Sequence, residues 1–269
     1  MVLAAVTFSL VLAIPQGASP ASANHTGWAS ASSATIHPGV QTDSPSGQCT
    51  ANFVFKDTSG GIYLGQAAHC ASTGGALGTN GCDTPSLAIG APVKFVGSGA
   101  KGWLAYSSWL TMQDVDESNS ATCAYNDFAL VKVKSTDHGK VNPSVPFWGG
   151  PRGLSPKQAP EGDPVYSYGN SSLRLGVQEL SPKTGINLLN DRSGWTSDVY
   201  TVTPGIPGDS GSGFMDGEGK AIGLVVTVQL APYAGSNGVT NLDKALDYAA
   251  EHAGLKVTLV NGSAFRTIL

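Results

Sequence analysis

Short apolar segments recur along the chain between glycine and proline punctuators: Ala51 to Phe55, Ile62 to Ala67, Pro92 to Val96, Phe128 to Val133, Pro164 to Tyr168, Ser197 to Val202 and Ala221 to Val228. Runs of this length predict short strands closed into barrels or sandwiches. One segment departs from the pattern. Between Asn241 and Ala253, Leu242, Ala245, Leu246 and Ala249 fall at helical spacing, with Asn241 as a cap and Gly254 as a stop. This predicts a C-terminal helix packed on the body by that face. Leu255 to Val260 then alternates, which predicts a final strand. The proline- and glycine-rich stretch from Val141 to Pro164 separates two strand-rich halves. Neither a heptad register nor a repeat of solenoid length is present.

Composition supports the mostly β reading. Charged residues make up 13% of the 269, against a usual ~25%, while glycine and proline number 35 and 16, so the chain is turn-dense. An apolar content of 41% excludes disorder. A net charge of −4 provides no basic surface for a phosphate backbone, which excludes nucleic acid as a partner.

The ends of the chain read differently. Met1 to Ile14 carry no charge and run into Pro15, Gly17 and Ala21-Ser22-Ala23, a secretory apolar region with a small-residue cleavage site. Fourteen residues fall short of the roughly 20 that span a bilayer. Residues 1–23 are therefore expected to be a signal peptide removed after Ala23, leaving a secreted, extracellular protein with no membrane attachment. No Lys or Arg precedes Val2, which leaves room for an earlier start than Met1. Residues 24–46, rich in Ser, Ala, Thr and Gly, are expected to form a flexible arm.

Secretion gives the four cysteines a meaning, because an oxidising compartment favours disulfides and four cysteines can pair completely in three ways. Cys49, Cys70, Cys82 and Cys123 lack C-x-x-C spacing and have only His69 as a neighbouring histidine, so no metal site is expected. Asn24-His25-Thr26, Asn170-Ser171-Ser172 and Asn261-Gly262-Ser263 fit a glycosylation acceptor pattern that is too short to assign a role.

Three tracts carry chemistry. In Pro204-Gly205-Ile206-Pro207-Gly208-Asp209-Ser210-Gly211-Ser212-Gly213 a serine sits between glycines, where small neighbours let backbone amides and a hydroxyl approach one carbonyl. In Gln66-Ala67-Ala68-His69-Cys70 a histidine ends an apolar strand. In Asn126-Asp127-Phe128-Ala129-Leu130-Val131 an acid opens a buried strand. A serine hydroxyl is a poor nucleophile until a base takes its proton, and an imidazole with a pKa near 6.5 can do so near neutral pH. Each tract alone is common: a turn, a packed ring, a strand start.

Together A-A-H-C, D-x-A-L and G-D-S-G, in that order, resemble the trypsin/chymotrypsin-like serine proteases, and the glycine-rich body with a terminal helix is similar to their bacterial secreted branch. The resemblance implies an all-β fold of two six-stranded antiparallel barrels with a cleft between them, plus the C-terminal helix. Residues 47–145 would form the first barrel and 146–269 the second, with the helix and final strand. It makes Ser210 the nucleophile, His69 the base and then acid, and Asp127 the group that orients the imidazole. The amides of Gly208 and Ser210 would form the oxyanion hole. The bridge beside the family's histidine implies Cys49 with Cys70, and with it Cys82 with Cys123. No cofactor is implied, the substrates would be proteins or peptides, and a monomer is expected. Activity should rise with an apparent pKa near 6–7 as the base loses its proton.

Several positions depart from the family. Ser212 replaces the usual second glycine, and no I-V-G-G-like start lies upstream of His69 to supply an ammonium for Asp209, whose partner is left among Arg152, Arg174 and Arg192. Asp114, Asp116 and Asp137 are alternatives to Asp127, but none opens a hydrophobic strand. Where members that cleave after Lys or Arg carry an aspartate, six residues before the nucleophile, this chain has Pro204. With Val226 and Thr227 on the opposite wall, the pocket is expected to take an apolar or small residue, Asp198 being the acid that could reach it instead. A catalytically silent binding protein and an esterase on the same scaffold are the competing functions.

Overall fold

The computed structural model describes residues 27–74, 78–229 and 233–267; the expected signal peptide lies outside them. The first strands are β1 (Gln41–Ser44), β2 (Gly47–Thr50), β3 (Val54–Asp57), β4 (Ile62–Gln66), β5 (Pro92–Phe95), β6 (Ala100–Ser107) and β7 (Ala129–Val133). Two short helices, α1 (Ser108–Asp114) and α2 (Ser120–Tyr125), interrupt the run between β6 and β7. The second set is β8 (Pro164–Tyr168), β9 (Pro182–Asn190), β10 (Thr196–Thr201), β11 (Gly213–Asp216), β12 (Ala221–Val228) and β13 (Asn237–Asn241), followed by helix α3 (Leu242–His252) and strand β14 (Val257–Leu259). No helix of the described residues is long and apolar enough to cross a membrane.

Strands β10-β13-β12-β11-β8-β9 close into a six-stranded antiparallel barrel around Val165, Val199, Phe214, Ile222, Val225 and Val239. The first half differs from the barrel expected of residues 47–145: it is an eight-stranded sheet in the order β14-β3-β4-β7-β6-β5-β1-β2. The reason lies at its two edges. After β2 the chain bends through Ala51 to Phe53 and meets β4 only through isolated bonds, Asn52 N–H to the Gly65 carbonyl at 2.8 Å and Gly65 N–H to Phe53 at 3.0 Å. The outer edge of β3 is covered by β14, which pairs Val257 with Asp57 and Leu259 with Phe55. The final strand thus joins the first sheet, not the second half to which the resemblance assigned it.

The expected flexible arm is also corrected. Its polar composition hides two anchors, Ile36 and Val40, both buried in the core of the first sheet, and its last residues form β1 between β2 and β5. Strand β7 is apolar at every position but Lys132 because it lies mid-sheet between β4 and β6, with all its other residues buried. In α3 the Asn241 side chain caps the helix by accepting the Lys244 N–H at 3.2 Å. Leu242, Ala245, Tyr248 and Ala249 are its buried residues, with Leu246 at the margin, and the helix packs on β12 and α1.

Two disulfides, Cys49–Cys70 and Cys82–Cys123, cross-link the first half. Each stabilises the fold by about 2–4 kcal/mol, chiefly by restricting the unfolded chain. The first also ties the turn that carries His69 to β2.

Candidate active site

His69 sits on a short 3-10 turn, Ala68–Ala71, directly after β4. Buried Ala67, Ala68 and Ala71 leave room for the turn to press against the core while the imidazole stays one-quarter exposed. One carboxylate holds the residue twice: Asp127 Oδ1 accepts the His69 main-chain N–H at 2.9 Å, and Oδ2 lies 2.6 Å from Nδ1. The acceptor-only carboxylate places a proton on Nδ1, which leaves Nε2 as the ring's acceptor in the neutral form. Asp127 is itself fixed from below. Ser108, at the start of α1, accepts the Phe128 N–H at 3.0 Å and donates to the Asn126 carbonyl at 2.7 Å, clamping the backbone on both sides of the acid.

Burial by itself depresses the His69 pKa, but the charge of Asp127 and its hydrogen bond outweigh that cost and hold it above the ordinary 6.5. The alternatives lie elsewhere: Asp114 and Asp116 are exposed around the end of α1, and Asp137 pairs with Lys140 at 2.8 Å. Cys49, His69 and Cys70 bring ligand atoms within 4.8 Å of one another, but both sulfurs are engaged in the disulfide and offer no thiolate.

Ser210 lies in the loop between β10 and β11, where its carbonyl accepts the Thr50 N–H at 2.9 Å from the first half of the molecule. Gly211 adopts φ +88°, and a Cβ there would stand 2.6 Å from the Thr50 oxygen and 2.8 Å from the Ala67 nitrogen. Only glycine lets the loop pass this close to β2 and the histidine turn. Ser210, His69 and Asp127 open on one cleft of about 820 Å³ between the sheet and the barrel. Among the described residues no hydrogen bond joins the Ser210 hydroxyl to the His69 ring. The Gly208 and Ser210 amides donate to no protein acceptor among those residues, whereas the Asp209 and Gly211 amides do, at 2.9 and 2.7 Å.

No family model and no curated relative matches the chain. Solved structures do. Thermobifida fusca Protease A matches with a TM-score of 0.53 at 16% identity, covering 84% of this chain and 99% of its own. A glutamic acid specific serine protease matches at 0.51 with 16% identity, covering 84% and 100%, and a Nocardiopsis protease at 0.50 with 17% identity, covering 83% and 98%. The chain has the fold of the bacterial trypsin/chymotrypsin-like serine proteases.

Within this serine protease fold the acid before the serine, Asp209, is fully buried. Its Oδ2 lies 2.6 Å from Arg174 Nη2 and 3.1 Å from Lys183 Nζ, and accepts the Ile206 N–H; its Oδ1 accepts the Ser171 N–H. Of the three candidate arginines, Arg174 is therefore the partner. Lys183 was invisible to sequence reasoning, since a lone lysine in Pro182-Lys183-Thr184 carries no sign that β9 points it inward. Burial, reinforced by repulsion from Arg174, holds its pKa below the usual lysine value despite the attraction of Asp209.

Val226 and Thr227 line the cleft of this protease fold, as do Gly205 and Ile206. Pro204 does not: its carbonyl turns to Arg174 at 3.1 Å and Lys183 at 3.3 Å, behind the wall. Asn237, also unforeseen, stitches the two walls together by accepting the Gly205 N–H at 2.8 Å and donating to the Thr227 carbonyl at 3.1 Å. Asp198 stands outside the lining, where burial raises its pKa and the side-chain amide of Gln229 donates to it.

Proposed function

We propose that the protein is a secreted serine endopeptidase that hydrolyses peptide bonds through an acyl-enzyme on Ser210. The observation that carries the reading is the double grip of Asp127 on His69 within a cleft that also holds Ser210. Ser210 Oγ attacks the scissile carbonyl carbon while its proton passes to His69 Nε2. The resulting oxyanion is received by the unpaired amides of Gly208 and Ser210. As the C–N bond breaks, the proton on Nε2 goes to the leaving amine. Water, deprotonated by the same nitrogen, then attacks the ester carbon, and Ser210 leaves as the hydroxyl. Asp127 keeps Nδ1 protonated throughout and stabilises the imidazolium. The apolar run at Met1 to Ile14 and the two disulfides support secretion.

A fluorophosphonate probe tests the reading. Stoichiometric labelling together with digestion of casein supports an endopeptidase; labelling without casein cleavage would favour an esterase, and no labelling a silent binding protein.

The pH profile follows from the raised pKa of His69. The base must be neutral, so kcat/KM should rise with pH through a value above 6.5, and Asp127→Asn should move that limb downward while cutting the rate severely. Stability runs the opposite way. Charged His69 paired with Asp127 stabilises the fold fully below 6.5, and that contribution is lost as pH rises through the folded value. A rate profile with no limb above 6.5 would contradict the assignment.

Gly205, Ile206, Val226 and Thr227 support cleavage after apolar or small residues, since the described residues lining the cleft include no Lys or Arg to pair an acidic side chain and, as acids, only Asp127 and Asp209, each already engaged. A peptide library resolved by mass spectrometry should show this preference. Cleavage mainly after Arg and Lys would mean that Asp198 reaches the pocket.

A further inference from the structure

We propose that Ser171 is a positioning residue that locks the peptide between Pro207 and Gly208 in the orientation an oxyanion hole requires. The inference rests on the endopeptidase reading of the site. A trans peptide carries its carbonyl and its N–H on opposite sides, so whatever holds the Pro207 oxygen also decides where the Gly208 N–H points. Ser171 Oγ lies 2.5 Å from that oxygen. The same Oγ accepts the Leu173 N–H at 3.1 Å, and a carbonyl can only accept, so the hydroxyl proton goes to Pro207. Ser171 is buried, 2% exposed.

The restraint has to come from outside the peptide itself. Gly208 sits at φ +94° without a side chain, and Pro207 fixes its own φ but not its ψ, so neither residue by itself sets the orientation of the peptide between them. A half-turn of this peptide would put the Pro207 carbonyl into the cleft, where it would repel a developing oxyanion. The following peptide is already held: the Gly208 carbonyl accepts the Thr50 hydroxyl at 2.7 Å and the Gln48 amide at 3.0 Å, while Asp209 N–H bonds Ile206. Among the described residues the Pro207–Gly208 peptide is held by the single bond from Ser171. Ser171 is anchored in turn, its N–H on Asp209 Oδ1 at 3.0 Å and Arg174 of the same turn on Oδ2 at 2.6 Å. The neighbouring Asn170 amide donates to the Gly39 carbonyl, so the tract with a glycosylation pattern is built into the fold as a strut.

The test uses the secreted protein and its Ser171→Ala variant, with a peptide amide substrate and a peptide boronic acid that forms a tetrahedral adduct. The variant should lose about 10- to 100-fold in kcat, with KM within about twofold, and bind the boronate more weakly by the same factor, since part of a donor's usual effect is forfeited. The limb of the pH profile set by His69 should stay in place. A merely structural defect would lower the melting temperature and the active fraction without selectively weakening the boronate. A kcat and boronate affinity within about twofold of wild type would overturn the proposal. If Ser171→Ala does not fold, Ser171→Gly replaces it, glycine being tolerated at the cap position that Ser171 occupies before the short 3-10 turn Ser172–Arg174, with the same two outcomes. An inactive wild type would instead overturn the endopeptidase reading, so the two failures are distinguishable.

Discussion

Ser210→Ala protein is expected to take no fluorophosphonate label and to show no measurable peptide hydrolysis, while its melting temperature stays within a few degrees of wild type. The substitution removes one oxygen from a partly exposed turn, and what Ser210 and Gly211 themselves contribute to holding it is backbone, Ser210 O with Thr50 and Gly211 N–H with Val225. Loss of stability should therefore fall within about 0.5 kcal/mol, the range of surface changes that break no structural contact. The chemical loss is of another order. On a different fold with the same three residues, removing the serine costs on the order of 10⁶ in kcat, and removing the histidine costs about as much, because the group acts as a unit. His69→Ala should accordingly be nearly as inactive. Undiminished turnover by Ser210→Ala would place the nucleophile elsewhere.

What the sequence reveals of this site depends on how local each requirement is. The tract around His69 is legible because the turn needs small buried neighbours within two residues, and the tract around Ser210 because Gly211 must pass within 2.6 Å of another strand's carbonyl. Asp127 is legible because it opens an apolar strand. The supports are not. Ser108, Ser171, Lys183 and Asn237 are buried polar residues whose partners across the site lie 10 to 38 residues away, so they leave no periodic trace and match no short motif. The fold divides in the same way. Apolar strands such as β4, β7 and β12 announce themselves, whereas β1, β2 and β13 are composed largely of polar and small residues and acquire their identity from the neighbours they pair with. The closing partner of β3 could not be read at all, since β14 arrives from the far end of the chain after a helix that packs on both β12 and α1.

The same dependence on distant partners makes Asp209 the residue whose loss should most damage the fold. Its carboxylate is the common counter-charge of Arg174 and Lys183, all three being nearly or wholly buried. Asp209→Ala would leave two like charges in the interior without a partner, and breaking a buried pair in this way typically costs about 3–5 kcal/mol. That is a large share of the roughly 5–15 kcal/mol that holds an ordinary domain together. The effect must be asymmetric. Lys183→Met removes one of two cations competing for a single anion, with an apolar side chain of similar length. The carbonyls it leaves keep other donors, Thr203 from Thr201 at 3.0 Å and Pro204 from Arg174 at 3.1 Å. Because the fold holds the Lys183 pKa below its usual value, the charged form is a burden that methionine does not carry. Lys183→Met should therefore stay within about 1 kcal/mol of wild type, the usual outcome when a buried charge is exchanged for an apolar group of similar volume. Urea unfolding at neutral pH measures both variants, and adding Lys183→Met to Asp209→Ala should recover part of the lost stability by removing one stranded charge. An Asp209→Ala protein as stable as wild type, or a double variant less stable than Asp209→Ala alone, would show that the buried cluster is not held together by this carboxylate.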